Sequence, residues 1–144
     1  MKVYIAGPMS GIPKFNYPAF LAAADALRAV GYEVLCPAEM DSPEMQKLAM
    51  ASKKGLLSDL KATGETWGDV LAKDVKLISD EIDAVVVLPG WSKSRGARLE
   101  VFVALSVQKP VFYYEDMNEI DPNELMFHIA KHVVKQGDVA RYIA

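Results

Sequence analysis

The chain has 144 residues, of which 51% are hydrophobic and 24% charged, enough for one soluble domain with a single core and too few for a second. A net charge of −3 gives no general attraction to nucleic acid or to an anionic membrane. The lone Cys36 excludes an internal disulfide and a cysteine metal cluster, and no apolar run reaches membrane-spanning length. With no signal peptide at MKVYIAGPM, the expectation is a cytoplasmic protein with no nucleic-acid or membrane partner.

Lys2 to Ala6 reads as a first strand, closed by Gly7-Pro8 and followed by the small-residue loop Met9-Ser10-Gly11-Ile12-Pro13. Asn16 is placed to cap a helix with Pro18 in its first turn. Phe20, Ala23, Ala24, Leu27 and Val30 then recur at helical spacing until Gly31. Tyr32 to Leu35 is a second strand. A strand, helix and strand in so short a stretch make a right-handed crossover, and hence a parallel sheet.

From Pro37 to Thr66 the periodicity is weak, and the expectation is a helix and a mobile loop. Met40, Met45 and Met50 either fill gaps there or line a ligand pocket. From Trp67 a stripe of Val70, Leu71, Leu77 and Ile78 marks a helix, with Asp74 on the same inward face. Asp80, Glu81 and Asp83 form a solvated turn without a role.

Ala84 to Leu88 is an unbroken, valine-rich run, as expected of a strand buried on both faces. Pro89-Gly90 ends it, and Ser94 or a neighbour can cap the next helix. Within that helix Glu100 is the only charge between Arg98 and Lys109. A carboxylate set among Leu99, Val101 and Phe102 would cost several kcal/mol if buried and unpaired, so it needs a partner or a function. Pro110 to Tyr114 is a fourth strand. Asp121-Pro122-Asn123-Glu124 starts a last helix with cap, proline and capping-box glutamate in order, running to about Gln136. His128 and His132 stand four apart on it, with no further ligand to make a metal site. A fifth strand is possible at Val139 to Ile143.

The class is therefore α/β: a flavodoxin- or Rossmann-like three-layer sandwich, its parallel sheet of four or five strands in the order 2-1-3-4. In such a sheet a ligand binds outside the carboxyl ends of the strands where chain order reverses, here between the first and third. The Gly7 to Pro13 and Pro89 to Gly96 loops meet there. Two inward carboxylates near that crevice suit glycosidic-bond chemistry, with the alternative that Asp74 is a buried structural residue. Ser92, Lys93, Ser94, Arg95 and Arg98 surround a helix N-terminus, a physically reasonable anion site. No Walker or G-x-G-x-x-G pattern points to ATP hydrolysis or a nicotinamide cofactor.

On these residues the chain resembles the nucleoside 2-deoxyribosyltransferase superfamily, in particular its small phage and bacterial branch. VYIAGPMSG is similar to the opening tyrosine-glycine motif, and Asp74 stands where an aspartate precedes the third strand. DAVVVLPGWSKSRGARLEVFVALSVQKPV is similar to the pattern of strand, loop, Gly-x-x-x-Glu and Lys-Pro-Val. The resemblance implies that Glu100 is the nucleophile, Asp74 the assisting carboxylate and Tyr4 a tyrosine near the sugar. It implies substrate contacts from Gly7, Met9, Ser10 and Gly11 on the first loop, and from Gly90, Ser92, Ser94, Arg95 and Gly96 on the other. Neither a metal nor another cofactor is implied.

Where transferases acting on free nucleosides have Asp-x-Gly, this chain has Ser94-Arg95-Gly96. In that it is similar to the superfamily's nucleoside 5′-monophosphate N-glycosidases, although Pro8 replaces a serine found in them. The expected activity is hydrolysis of the base–sugar bond of a nucleotide. The alternatives are a base-exchanging transferase, a phosphoribohydrolase echoed loosely by Leu88-Pro89-Gly90, and a non-catalytic nucleotide sensor. The resemblance also implies a homodimer or higher homo-oligomer.

Overall fold

The computed structural model describes residues 1–60 and 66–136. Four parallel strands, β1 (Lys2–Ala6), β2 (Glu33–Leu35), β3 (Ala84–Val87) and β4 (Val111–Tyr113), form one sheet in the order β2-β1-β3-β4. The register aligns Ala6 with Val87, so β1 and β3 end together. The expected class and strand order are both present. The possible fifth strand at Val139 to Ile143 lies outside the described residues.

Alternation along the strands divides the core. Val3, Ile5, Val34, Val86 and Leu88 pack with Phe20, Ala24 and Leu27 of α1 (Tyr17–Ala29). Tyr4, Ala6, Val85 and Val87 face the other way, with Ile78 of α4 (Trp67–Asp80) and Ala97, Val101 and Ala104 of α5 (Arg95–Ser106). Burial on both faces is what the continuous run in β3 requires, and every residue of that strand is buried.

Local interactions set the helix starts. Thr66 and Asp69 form a reciprocal capping box, with Thr66 N–H donating to Asp69 at 2.9 Å and Asp69 N–H to Thr66 Oγ1 at 3.1 Å. This places Asp74 in the second turn of α4. Ser94 caps α5, accepting from Ala97 N–H at 3.2 Å, and so places Glu100 in the second turn of that helix. At the far end of α4, Lys109 Nζ donates to the carbonyls of Ile78 and Ser79, each at 2.8 Å. That lysine ties the start of β4 to a helix C-terminus, where a cation is favoured.

Several local expectations are corrected. Asn16 stands at the N-cap of α1 but makes no side-chain cap; it has a left-handed φ of 61°, and its amide instead donates to Pro8 O at 2.9 Å. Lys14 and Phe15 are left-handed as well, so three successive non-glycine residues turn the chain into α1. The stretch from Pro37 holds the expected helix, α3 (Pro43–Ala51), together with a shorter one, α2 (Pro37–Met40), and a 3₁₀ turn at Leu57–Asp59, while residues 61–65 of it lie outside the described residues. Asp83 has a structural role, accepting from Lys2 N–H at 2.8 Å beside the backbone bond from Asp83 N–H to Lys2 O. In α6 (Pro122–Gln136), Glu124 accepts from Tyr113 at 2.7 Å, and His128 packs edge-on against Trp91.

Candidate active site

A cavity of about 300 Å³ opens at the shared carboxyl edge of β1 and β3, the point at which chain order reverses. Gly7, Met9 and Ser10 reach it from the loop after β1, Asp74 from α4, and Ser94, Gly96 and Glu100 from α5. A second cavity, of about 830 Å³, shares Ser10, Ser94 and Gly96 with the first and continues past Pro8, Gly90, Lys93 and Arg95. Two cavities of similar size lie elsewhere, one around Ser52 and Asp59 and the other around Lys109 and Ile120. Size does not single out a site here; the grouping of ionisable side chains does.

Gly7 is required where it stands. A β-carbon there would lie 2.9 Å from Leu88 Cβ, so a side chain would wedge apart the two loops that frame the cavity. The first loop is tied down as well: Gly11 N–H donates to Gly55 O at 2.9 Å and Lys14 N–H to Ser52 O at 2.8 Å. Gly55 meets this loop so closely that a β-carbon on it would fall 2.1 Å from Ile12 O.

Tyr4 lies in the middle of β1, 1% exposed, and its hydroxyl stands near enough to the carboxyls of Glu100 and Asp74 to interact with both. Burial pushes the phenol well above its usual range, and the two carboxyls add to that. Glu100 is 8% exposed and is pushed up to about 8, first by burial and then by the charge of Asp74, while the Tyr4 bond works in the other direction. Asp74 is pushed up to about 6, again chiefly by burial and against the Tyr4 bond. A phenol has one proton to donate, so when both carboxyls contact it one of them can supply the other hydrogen. Between about 6 and about 8 the pair therefore holds one proton, which the higher value of Glu100 places on that residue, with Asp74 ionised.

The basic loop differs from expectation. Arg98 is 7% exposed and its Nη1 donates to Ser92 O at 2.9 Å, so it braces the loop. Ser92 lines neither of the two adjoining cavities, and Gly11 also stays outside them. Lys93 and Arg95 are exposed at the larger cavity. The Ser94 oxygen accepts the cap bond and keeps its own proton for donation; the N–H groups of Arg95 and Gly96 begin the helix without an intrahelical acceptor.

Sequence reasoning missed Tyr17, Asp41 and Lys73. Asp41 and Lys73 line the smaller cavity with Met40, and Tyr17 donates its hydroxyl proton to Asp41 Oδ2. Of the three methionines considered, Met40 lines this cavity while Met45 and Met50 do not. Cys36 is buried, and burial pushes its thiol up, in keeping with a packed side chain. Among the described residues no cluster of metal-ligating side chains occurs, and no helix is long and apolar enough to cross a membrane.

The fold and site thus define a parallel α/β domain with a carboxyl pair gathered around a buried tyrosine at its switch point. The chain belongs to the family described as Domain of unknown function (DUF4406), whose model matches residues 1–113, a span that holds the whole sheet and every residue of the candidate site. No curated protein and no solved structure matches the chain.

Proposed function

We propose that the protein is an N-glycosidase that hydrolyses the base–sugar bond of a nucleoside 5′-monophosphate. The observation that carries this reading is the grouping of two partly or fully buried carboxyls, Glu100 and Asp74, around Tyr4 on one cavity at the sheet's switch point. In the first step the pair's single proton moves from Glu100 to Asp74, and the ionised Glu100 attacks the anomeric carbon. A bond forms from its oxygen to that carbon as the carbon–nitrogen bond breaks, and the departing base takes the proton of Asp74. Water then attacks the same carbon, releases the Glu100 carboxylate and returns a proton to Asp74. The Tyr4 hydroxyl holds both carboxyls in place and stabilises whichever of them is charged.

The larger cavity supports a 5′-phosphate. Ser10 and Ser94 bring hydroxyls to the wall it shares with the smaller one, Arg95 and Gly96 bring helix N-terminal N–H groups, and Lys93 and Arg95 bring charge. Ser10 provides a hydroxyl two residues after Pro8, the position at which the resembling enzymes have a serine. The reading includes a cytoplasmic location and a homo-oligomer, for which Val75 on α4 and Phe102 on α5 leave apolar surface exposed.

Chromatography of released base tests the proposal. A panel of deoxynucleosides and their 5′-monophosphates should yield free base and sugar phosphate from at least one monophosphate, at about tenfold or more higher efficiency than from its nucleoside. Formation of an exchanged nucleotide when a second base is added would make the enzyme a transferase. Binding without release of base would make it a sensor.

A further inference from the structure

The smaller cavity has more lining than the carboxyl pair, the first loop and the wall it shares with the larger one. The rest is apolar, from Phe20, Pro37, Met40, Val70, Leu77 and Ala97, with two charged residues, Asp41 and Lys73. An apolar slot with one or two polar groups is the usual form of a pocket for a flat ring. With a phosphate at the larger cavity and a sugar against Glu100 and Asp74, this slot is the space left for the base.

Asp41 is held in position from outside the slot. It follows α2, is half-buried, and its Oδ2 accepts the hydroxyl proton of Tyr17, itself 3% exposed. Its backbone carbonyl accepts from Gln46 Nε2 at 2.8 Å, which joins α2 to α3. An ionised carboxylate offers about four acceptor positions and no donor. A group fixed in this way discriminates by the donors on its ligand, since it attracts an amino group and repels a carbonyl oxygen.

Building on the nucleotide reading above, we propose that Asp41, held by Tyr17, is a specificity-determining residue that accepts a hydrogen bond from an exocyclic amino group of the base. The enzyme then prefers adenine, cytosine or guanine nucleotides to those of uracil and thymine. The donor on the pairing edge of the latter two is a ring N–H flanked by two carbonyl oxygens, which a carboxylate repels. The same negative charge adds, after burial, to the rise of Asp74, and so eases transfer of the pair's proton to it for the departing base.

The test uses the full chain carrying Glu100→Gln, which binds without turning over, titrated calorimetrically with the 5′-monophosphates of deoxyadenosine, deoxycytidine, deoxyguanosine, deoxyuridine and thymidine. At least one amino-bearing nucleotide should bind about tenfold or more tightly than the uracil and thymine ones. Adding Asp41→Asn, which keeps the size and an oxygen for Tyr17 but introduces an N–H donor, should narrow that ratio to about threefold or reverse it. Tyr17→Phe, which releases Asp41 from its tether, should narrow it partway and serves if the Asn variant does not fold. An equal loss for all five nucleotides in Asp41→Asn, or an unchanged ranking in a folded variant, would leave Asp41 a structural support and overturn this inference alone. A protein that binds none of the five would overturn the nucleotide reading and this inference with it.

Discussion

The hydroxyl of Tyr4, on an interior strand, stands beside the carboxyl of Glu100, on a helix packed against the sheet, and also beside that of Asp74 on the neighbouring helix. Three separate elements thereby meet around a single oxygen atom. Among the described residues the cation that acts on the pair is the exposed Lys73, which lowers Asp74 only weakly, and both carboxyls are raised chiefly by burial. The site therefore keeps its ionisable groups at a cost in stability, as functional sites commonly do.

Glu100→Gln separates that cost from function. The amide keeps size and polarity but forms no glycosyl ester, so base release should fall by about a thousandfold or more. Glu100 has a raised folded-state value, so its contribution to stability is fully present below its unfolded value and is lost as pH rises toward about 8. Glutamine does not titrate. The variant should match the wild type near pH 4 and exceed it at pH 8 by about 3–10 °C in Tm, on the order of 1–3 kcal/mol. A melting curve series across that range checks the sign, and a variant less stable at pH 8 would contradict the burial argument.

The rate should depend on pH as a bell whose limbs belong to the carboxyl pair and not to either member alone. Below about 6 both carboxyls hold protons and the nucleophile is lost; above about 8 both are ionised and the acid is lost. Tyr4→Phe removes a bond that favours the charged form of each carboxyl, so the acid-side limb should move to higher pH. The maximum rate should fall by about tenfold or more, the loss of one charge-assisted hydrogen bond. A profile unmoved by Tyr4→Phe would separate the tyrosine from the chemistry.

Ser94→Asp tests the phosphate. Aspartate caps a helix as well as serine does, so α5 should keep its start and the protein its fold. Its charge would oppose a phosphate at the wall between the two cavities. Efficiency on a nucleoside 5′-monophosphate should drop by about a hundredfold while that on the free nucleoside changes less, two charge-assisted bonds being at stake. Equal losses on both substrates would place the phosphate elsewhere.

Much of this arrangement was legible in the residues. An unbroken run of five apolar residues, rich in valine and stopped by Pro89-Gly90, reads as a strand buried on both faces, and the crossover between β1 and β2 fixes a parallel sheet and therefore the switch point. Glu100 and Asp74 each stood out as a charge on an apolar helix face. Asp41 did not, because an aspartate before Ser-Pro looks like any turn residue, and only the packing of α2 against α1 brings it to the cavity. Arg98 misled in the opposite direction. Its charge and spacing suggested the anion loop, but the length of its side chain lets the guanidinium fold back onto Ser92 O. The left-handed turn from Lys14 to Asn16 carries no glycine to announce it.

The cluster around Tyr4 also divides the molecule by how readily it can change. Its three members stand on a central strand and on two long helices, each fixed at its start by a side-chain cap or by sheet pairing. Part of the wall that would meet the base, Pro37, Met40 and Asp41, comes instead from the short segment after β2, while α4 supplies Val70, Lys73 and Leu77. A library confined to positions 37, 40 and 41, which leaves the buried Ala38 in place, should therefore yield enzymes that accept different rings while retaining one bond-breaking apparatus, the separation that makes a scaffold useful for redirecting selectivity.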